Sequence, residues 1–514
     1  MNRSSPEGGH QRSAASDPPF ATEGGQRLSG SAPSLRPHPH HVTYPGSKRR
    51  DRANSARQCH LEIERAMKGN RTTLLLCCLA QLMVTLDSSI LAVALPDLRT
   101  GLGFSAETLP WVVNAFAIPI AGLLLFSGRL SDRFGSRRVL AIGVGVFTLT
   151  SLGAGLAPTA EVLIAGRVGQ GIGAALMTTA CLSLLSQTFL QGPARAQAFG
   201  LWGAASGSGG ALGVLGGGVI VETLGWRWTL LVNVPIGLVL LALLVFSNRT
   251  PRPTARPQLD LAGSTAFLVA TASLVLTVMS VSNAFTAAAW ALLGLVSLVT
   301  FALIEKRAAS PLIPFVALGR TGAWRPVTAM MFIGGAMTAT FYFMTLNLQL
   351  FHLLSPLATG LSFLPLSLGA FLAAANSHRL QRRLGTDRTT ALGALIMTTG
   401  LAAIWAFSAA PFPAALIAAS GIFGIGMGIA LASIADGVTH LLPAALAGAA
   451  SGVLTTAQQF GNSFGLAVVA VADEQIPTNH YAGGFVSTLI LCAIALALLA
   501  THAWPRQKLR RASA

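Results

Sequence analysis

The chain has 514 residues, of which 52% are hydrophobic and only 10% charged, with 54 glycines, a mean hydropathy of +0.61 and a formal net charge of +17. A soluble globular chain carries about 25% charged residues, so this composition excludes an ordinary cytosolic enzyme and points to a polytopic membrane protein. The five cysteines, Cys59, Cys77, Cys78, Cys181 and Cys492, show neither CxxC nor metal-ligand spacing, which excludes a disulfide scaffold and predicts no metal site.

Residues 1–70 are rich in Ser, Pro, Gly, His and Arg and lack apolar periodicity. They read as a disordered basic cytoplasmic tail without the apolar core of a signal peptide. Met67, with Lys68 and Arg71 behind it, offers a second point at which the chain could start.

From residue 72 apolar stretches recur, each near the roughly 20 residues that a crossing helix needs. Six fall near 72–96, 109–128, 139–157, 161–190, 198–222 and 229–247. Two more follow near 259–281 and 286–304, and a final six near 326–350, 357–377, 389–408, 413–435, 446–472 and 484–503. We number the outer sets spans one to six and seven to twelve, with an inserted pair between them. All fourteen are expected as helices, because a bilayer offers open backbone groups no partner. The expected organisation is therefore a six-helix bundle over 71–248, a linker with two extra spans over 249–323, a second bundle over 324–504 and a basic tail over 505–514.

Short loops rich in Lys and Arg stay cytoplasmic. With both termini inside, all but three of the 35 Lys and Arg lie on the cytoplasmic side; Arg99 and Arg227 fall outside and Arg167 within a span. The positive charge is thus topology, and nucleic acid is not expected as a partner. Internal repetition supports two related halves. Gly203–Gly207 (GAASG) recurs as Gly448–Gly452, and Arg133-Phe134-Gly135 is echoed by Arg383-Leu384-Gly385.

Two ionisable residues lie deep in spans, Asp87 in span one and Arg167 in span four. Such groups cost several kcal/mol unless paired. At about 1.5 Å rise per residue their depths differ by roughly 4 to 5 Å, so pairing is geometrically open. With Gln170 beside them, the pair either takes up and releases a proton during a transport cycle or serves as a static bond between two helices. Spans seven to twelve contain no acidic residue away from their ends, with Asp436 at the mouth of span ten. Span seven carries a stripe of Met330, Met331, Met337, Phe341, Tyr342, Phe343 and Met344, suited either to varied lipophilic ligands or to plain helix packing.

The loop after span two, Gly128-Arg129-Leu130-Ser131-Asp132-Arg133-Phe134-Gly135-Ser136-Arg137-Arg138, is too short to cross and more patterned than a simple anchor. It resembles the signature of the major facilitator superfamily. Leu86–Ile90 through Pro96, Arg167–Ala175, Gly209–Gly218 and Gly225–Trp228 with Asn233–Gly237 narrow the resemblance to that superfamily's fourteen-helix drug:proton antiporters. Gln349, Ser355–Leu357, Gly360-Leu361 and Leu364-Pro365 continue it in the second half.

The resemblance implies an all-α membrane protein with two six-helix bundles and two inserted helices. It implies a multidrug-efflux exporter of small lipophilic or amphipathic compounds, driven by a proton gradient and no other cofactor, in the plasma membrane and as a monomer. It assigns proton coupling to Asp87, Arg167 and Gln170, conformational switching to Gly128, Asp132, Arg133, Gly135, Arg137 and Arg138, and helix packing to Gly209, Gly213, Gly217 and Gly218. Asn114, Phe116, Phe341, Tyr342 and Gln349 are candidates for the substrate cavity. A facilitator or importer of the same fold is the alternative. No catalytic constellation is present, since His352, His378 and His440 are isolated and GxxxxGK[ST] is missing. Two departures stand out: Val214 occupies the place of the fifth-helix proline, and Arg382 stands in the second loop where the first has Asp132.

Overall fold

A computed structural model describes residues 70–189, 193–246, 260–308, 313, 315–442, 447–475 and 480–512. The tail 1–69 and residues 247–259, at the start of the expected linker, lie outside the described residues.

Every expected span is helical. Spans one to five are Arg71–Leu102, Trp111–Phe134, Ser136–Gly155, Ala160–Thr188 and Pro193–Leu224. Span six is split at Val232 into Arg227–Leu231 and Asn233–Phe246. The inserted pair, Leu261–Met279 and Ala284–Arg307, begins at genuine N-caps, where Asp260 accepts from the Gly263 N–H and Asn283 from the Thr286 N–H. A short helix at Phe315–Thr321 leads to span seven, Trp324–Leu346, which ends in a π turn at Asn347–Phe351. Span eight restarts after Phe363, as Pro356–Ser362 and Leu364–Leu384. Spans nine to twelve are Thr386–Phe407, Ala414–Leu441, Ala447–Gln475 and Ala482–Ala512. In the last of these the helix runs on through most of the basic tail expected at 505–514, as far as Ala512, and Gln507 to Arg511 are all strong helix formers.

Thirteen described helices are long and apolar enough to cross a membrane. Span eleven, with 29 residues, is not among them. It carries Gln458, Gln459, Asn462 and Ser463, polar groups that its packing between spans two, seven and twelve keeps within protein.

Packing repeats between the halves. Spans one and five pair as seven and eleven do, three and four as nine and ten, and two and four as eight and ten. The halves meet along two equivalent seams, span two against span eleven and span five against span eight, and the first inserted helix covers the former. The repeated pentapeptides sit on these seams: Gly207 lies against Phe371 of span eight and Gly452 against Leu125 of span two. Gly135 and Gly385 hold the matching turns, at φ 91° and 82°, a region that side-chain-bearing residues rarely enter.

The apolar core is divided by depth. A cluster including Met83, Phe147 and Phe189 belongs to the first half alone, toward the face that bears the basic loops. A second cluster joins both halves, and its first-half members, among them Leu95, Val214 and Trp226, all lie toward the opposite face.

Candidate functional site

Span one, antiparallel to span four, carries Asp87 into the middle of the first half, where no water reaches it: its exposure is 0%, and that of Arg167 is 1%. Arg167 Nη1 donates to Asp87 Oδ2 at 2.6 Å. Its Nε donates to the Val112 carbonyl at 3.0 Å, and its guanidinium lies over the Phe116 ring, 4.2 Å from the centroid. The cation is thereby paired, hydrogen-bonded and stacked, which is what a buried charge requires. Gln170, one turn after Arg167, donates Nε2 to Asp87 Oδ1 at 2.9 Å and to Ser151 Oγ at 2.7 Å, while its Oε1 accepts from Arg167 Nη1 at 2.9 Å.

A fourth side chain completes the cluster. The break at Val232 starts a new helix at Asn233, whose Nδ2 donates to Asp87 Oδ1 at 2.6 Å. Asp87 therefore accepts three hydrogen bonds from groups that only donate to it, the environment of an ionised carboxylate. Proton coupling was expected of Asp87, Arg167 and Gln170, and the structure brings the three together. Asn233 and Ser151 are additions that sequence reasoning missed. Asn233 stood in the sequence as an amide inside an apolar run and as the first residue of the Asn233–Gly237 segment, with no role assigned to it.

The five cavity candidates are dispersed. Phe116 lies under Arg167. Asn114, fully buried, donates to Met279 Sδ at 3.4 Å and accepts from Ser463 Oγ at 3.4 Å at the seam of spans two and eleven. Tyr342 packs edge-on against Phe343 within the shared core, and Phe341 stacks on Phe363 with centroids 5.0 Å apart. Gln349, on the π turn, donates to the Val93 carbonyl of span one at 2.9 Å. The structure thus places them in packing and seams rather than around one pocket.

The glycines of span five divide by partner. A Cβ on Gly213 would stand 2.7 Å from Ser89 Cβ and 2.8 Å from the Leu86 carbonyl, and Gly209 and Gly217 face the same span one. Gly218 faces the other half instead, where a Cβ would meet the Pro356 carbonyl at 2.7 Å. Beside it, the Val214 carbonyl approaches Gly360 closely. Glu222, one turn on, accepts from Ser355 Oγ and the Leu357 N–H, each at 3.0 Å. Together with Gln349–Val93, these contacts shut the halves against each other on the face opposite the basic loops.

On the basic face, Asp132 is exposed with Arg129 as its charged neighbour. Arg137 donates to the Leu244 carbonyl, tying the loop to the end of span six. Arg133 lies over the Phe134 ring, Arg138 is exposed, and Gly128 faces open space. The two cations expected on the other face are anchored: Arg227 donates to the Ala157 carbonyl at 3.0 Å and lies over Trp226, and Arg99 hydrogen-bonds Tyr481.

Comparison with known proteins agrees with this geometry. Residues 77–466 match the model of the Major Facilitator Superfamily. The chain is 38% identical over 454 residues to the cephamycin export protein CmcT of Amycolatopsis lactamdurans, covering 83% of this chain and 91% of that protein. It is 35% identical to the puromycin resistance protein pur8 of Streptomyces alboniger, over 76% of this chain and 79% of that one. Among solved structures, a D-xylose–proton symporter superposes with a TM-score of 0.61 at 15% identity, over 84% of this chain and 97% of that one. A bacterial homologue of the lysosomal transporter Spinster, inward-facing and unoccupied, gives 0.60 at 18%, over 83% of this chain and 95% of that one.

Proposed function

Since the chain belongs to the Major Facilitator Superfamily, a family of multi-pass membrane transporters, we propose that it exports small lipophilic or amphipathic organic compounds, antibiotics among them, in exchange for protons. It works by alternating access in the plasma membrane, as a monomer with both termini in the cytoplasm, and performs no chemistry on its substrate. The export direction is supported by the relatives, whose names describe the export of cephamycin and resistance to puromycin and lincomycin.

The observation that carries proton coupling is the sealed cluster of Asp87. A carboxylate held by one cation and two amides, in a span that also packs on the glycines of span five, is positioned to exchange a proton when those helices shift. The same cluster bears on the substrate. Asp87 is fully engaged by its donors, and spans seven to twelve hold no acidic residue away from their ends. A permanently cationic compound would meet no acidic side chain along the interior of spans seven to twelve, so neutral or amphipathic compounds are the favoured cargo. The basic face, bearing the Arg129–Arg138 loop, is read as cytoplasmic, so the face on which the halves are shut is read as the external one.

The test is a strain lacking the gene, challenged with a panel of toxic compounds and loaded with those to which it becomes sensitive. Efflux should return with the gene and collapse when a protonophore dissipates the gradient. Efflux that persists without a gradient would favour a facilitator and contradict the proposal.

A further inference from the structure

We propose that Asn233 is a positioning residue that lets the buried Asp87 exist both with and without its proton: its amide donates to the carboxylate and, turned over, accepts from the carboxylic acid. This rests on the reading of Asp87 as the group that carries the proton.

An ionised carboxylate only accepts hydrogen bonds, whereas the acid form has an O–H that needs an acceptor. Around Asp87 acceptors are scarce. Arg167, the charged group facing it among the described residues, has donors only. The Gln170 amide is committed at both ends, its Nε2 to Asp87 and Ser151 and its Oε1 to Arg167. The Val112 carbonyl from span two is taken by Arg167 Nε, and Ser151 from span three receives Gln170. Asn233 differs. It is fully buried, its Nδ2 is 2.6 Å from Asp87 Oδ1, and its own Oδ1 has no partner among the described residues. An orphaned acceptor in such a place calls for an explanation, since burying one costs free energy in every state that leaves it unused.

A half-turn of the amide about its last side-chain torsion, which is soft and nearly two-fold, exchanges Oδ1 for Nδ2 at the same position. A proton arriving on Asp87 Oδ1 then forms O–H···Oδ1 with Asn233, in place of the N–H···Oδ1 bond of the ionised state. No covalent bond in Asn233 changes, and the proton remains on Asp87. The cluster gains one positive charge, which leaves Arg167 without its anion and loosens the tie between spans one and four.

The experiment is difference infrared spectroscopy of the full-length protein in lipid nanodiscs, between acid and alkaline buffer. In unlabelled protein a protonated carboxyl band should appear at acid pH, and D87N should delete it. With ¹³C-asparagine, the unsubstituted protein should show a side-chain amide band that changes over the same pH range. N233A should remove that amide change, displace the Asp87 carboxyl band and lower gradient-driven transport at least ten-fold. Asn233→Ser, whose hydroxyl both donates and accepts, should restore the carboxyl band and part of the transport. A titrating Asp87 band accompanied by an amide that ignores pH would overturn the role of Asn233 while leaving the proton carrier in place. Absence of any band deleted by D87N would overturn the carrier itself, and this inference with it. The label reaches every asparagine, so the band is assigned by its loss in N233A or, should that variant not fold, in Asn233→Ser.

Discussion

The pair at the centre of the first half makes opposite demands on stability and on transport. Removing one member of a buried ion pair leaves an uncompensated charge, a loss of about 3–5 kcal/mol, whereas removing both can be nearly neutral. Arg167→Gln should therefore lower the melting temperature in detergent sharply, and D87N/R167Q should recover most of it without recovering proton-driven transport. A double variant that loses the sum of the two single-variant losses would show that the two side chains act independently. Arg167→Lys should not rescue either property, because a single ammonium cannot reach Asp87, Gln170 and the Val112 carbonyl together. Asp87, Arg167 and Gln170 were legible in the sequence because ionisable groups are so rare inside spans. Asn233 was not, since an amide among apolar residues costs little enough to be common, and its partner lies 146 positions away.

Among the elements, spans one and five fit closely, and the tolerance of span five differs along its length. Gly213→Val would drive methyls into Ser89 Cβ and the Leu86 backbone, whereas nothing lies within 4 Å of a Cβ at Gly216. Overpacking costs about 1–3 kcal/mol, so G213V should lower both melting temperature and efflux while G216V leaves both within error of the original. Equal effects would mean that the helices separate readily there. Thirteen of the helices were legible because apolar length marks a crossing, whereas span eleven, with its amides, falls short of that measure. The break at Val232, the restart at Phe363 and the π turn at Asn347–Phe351 were not. At Val232 and at the π turn the chain meets distant partners, Asn233 meeting Asp87 and Asn347 donating to the carbonyls of Ser408 and His480, whereas at Phe363 the next helix starts with Pro365 in its first turn, a residue with no N–H to continue the helix before it.

For the whole molecule, the repeats foretold two halves but not which face would be shut, because both seams are built from the same glycine-rich helices. The contacts decide it. Glu222, Gly218 and Gln349 join the halves on the face opposite the basic loops. Opening that face must break the Glu222 bonds to Ser355 and Leu357. Glu222→Ala should shift the population toward the state open there, seen as faster labelling of a cysteine placed at the buried Thr359 by a membrane-impermeant maleimide. E222Q keeps an acceptor and should label slowly, like the parent. Equal rates in all three would show that Glu222 does not hold the gate.

The central claim, that a proton on Asp87 drives the exchange, is tested most directly in proteoliposomes with the identified substrate and an imposed pH gradient. D87N is expected to retain substrate exchange at equal pH on both sides and to lose accumulation against a concentration gradient. Undiminished uphill transport by D87N would contradict the account.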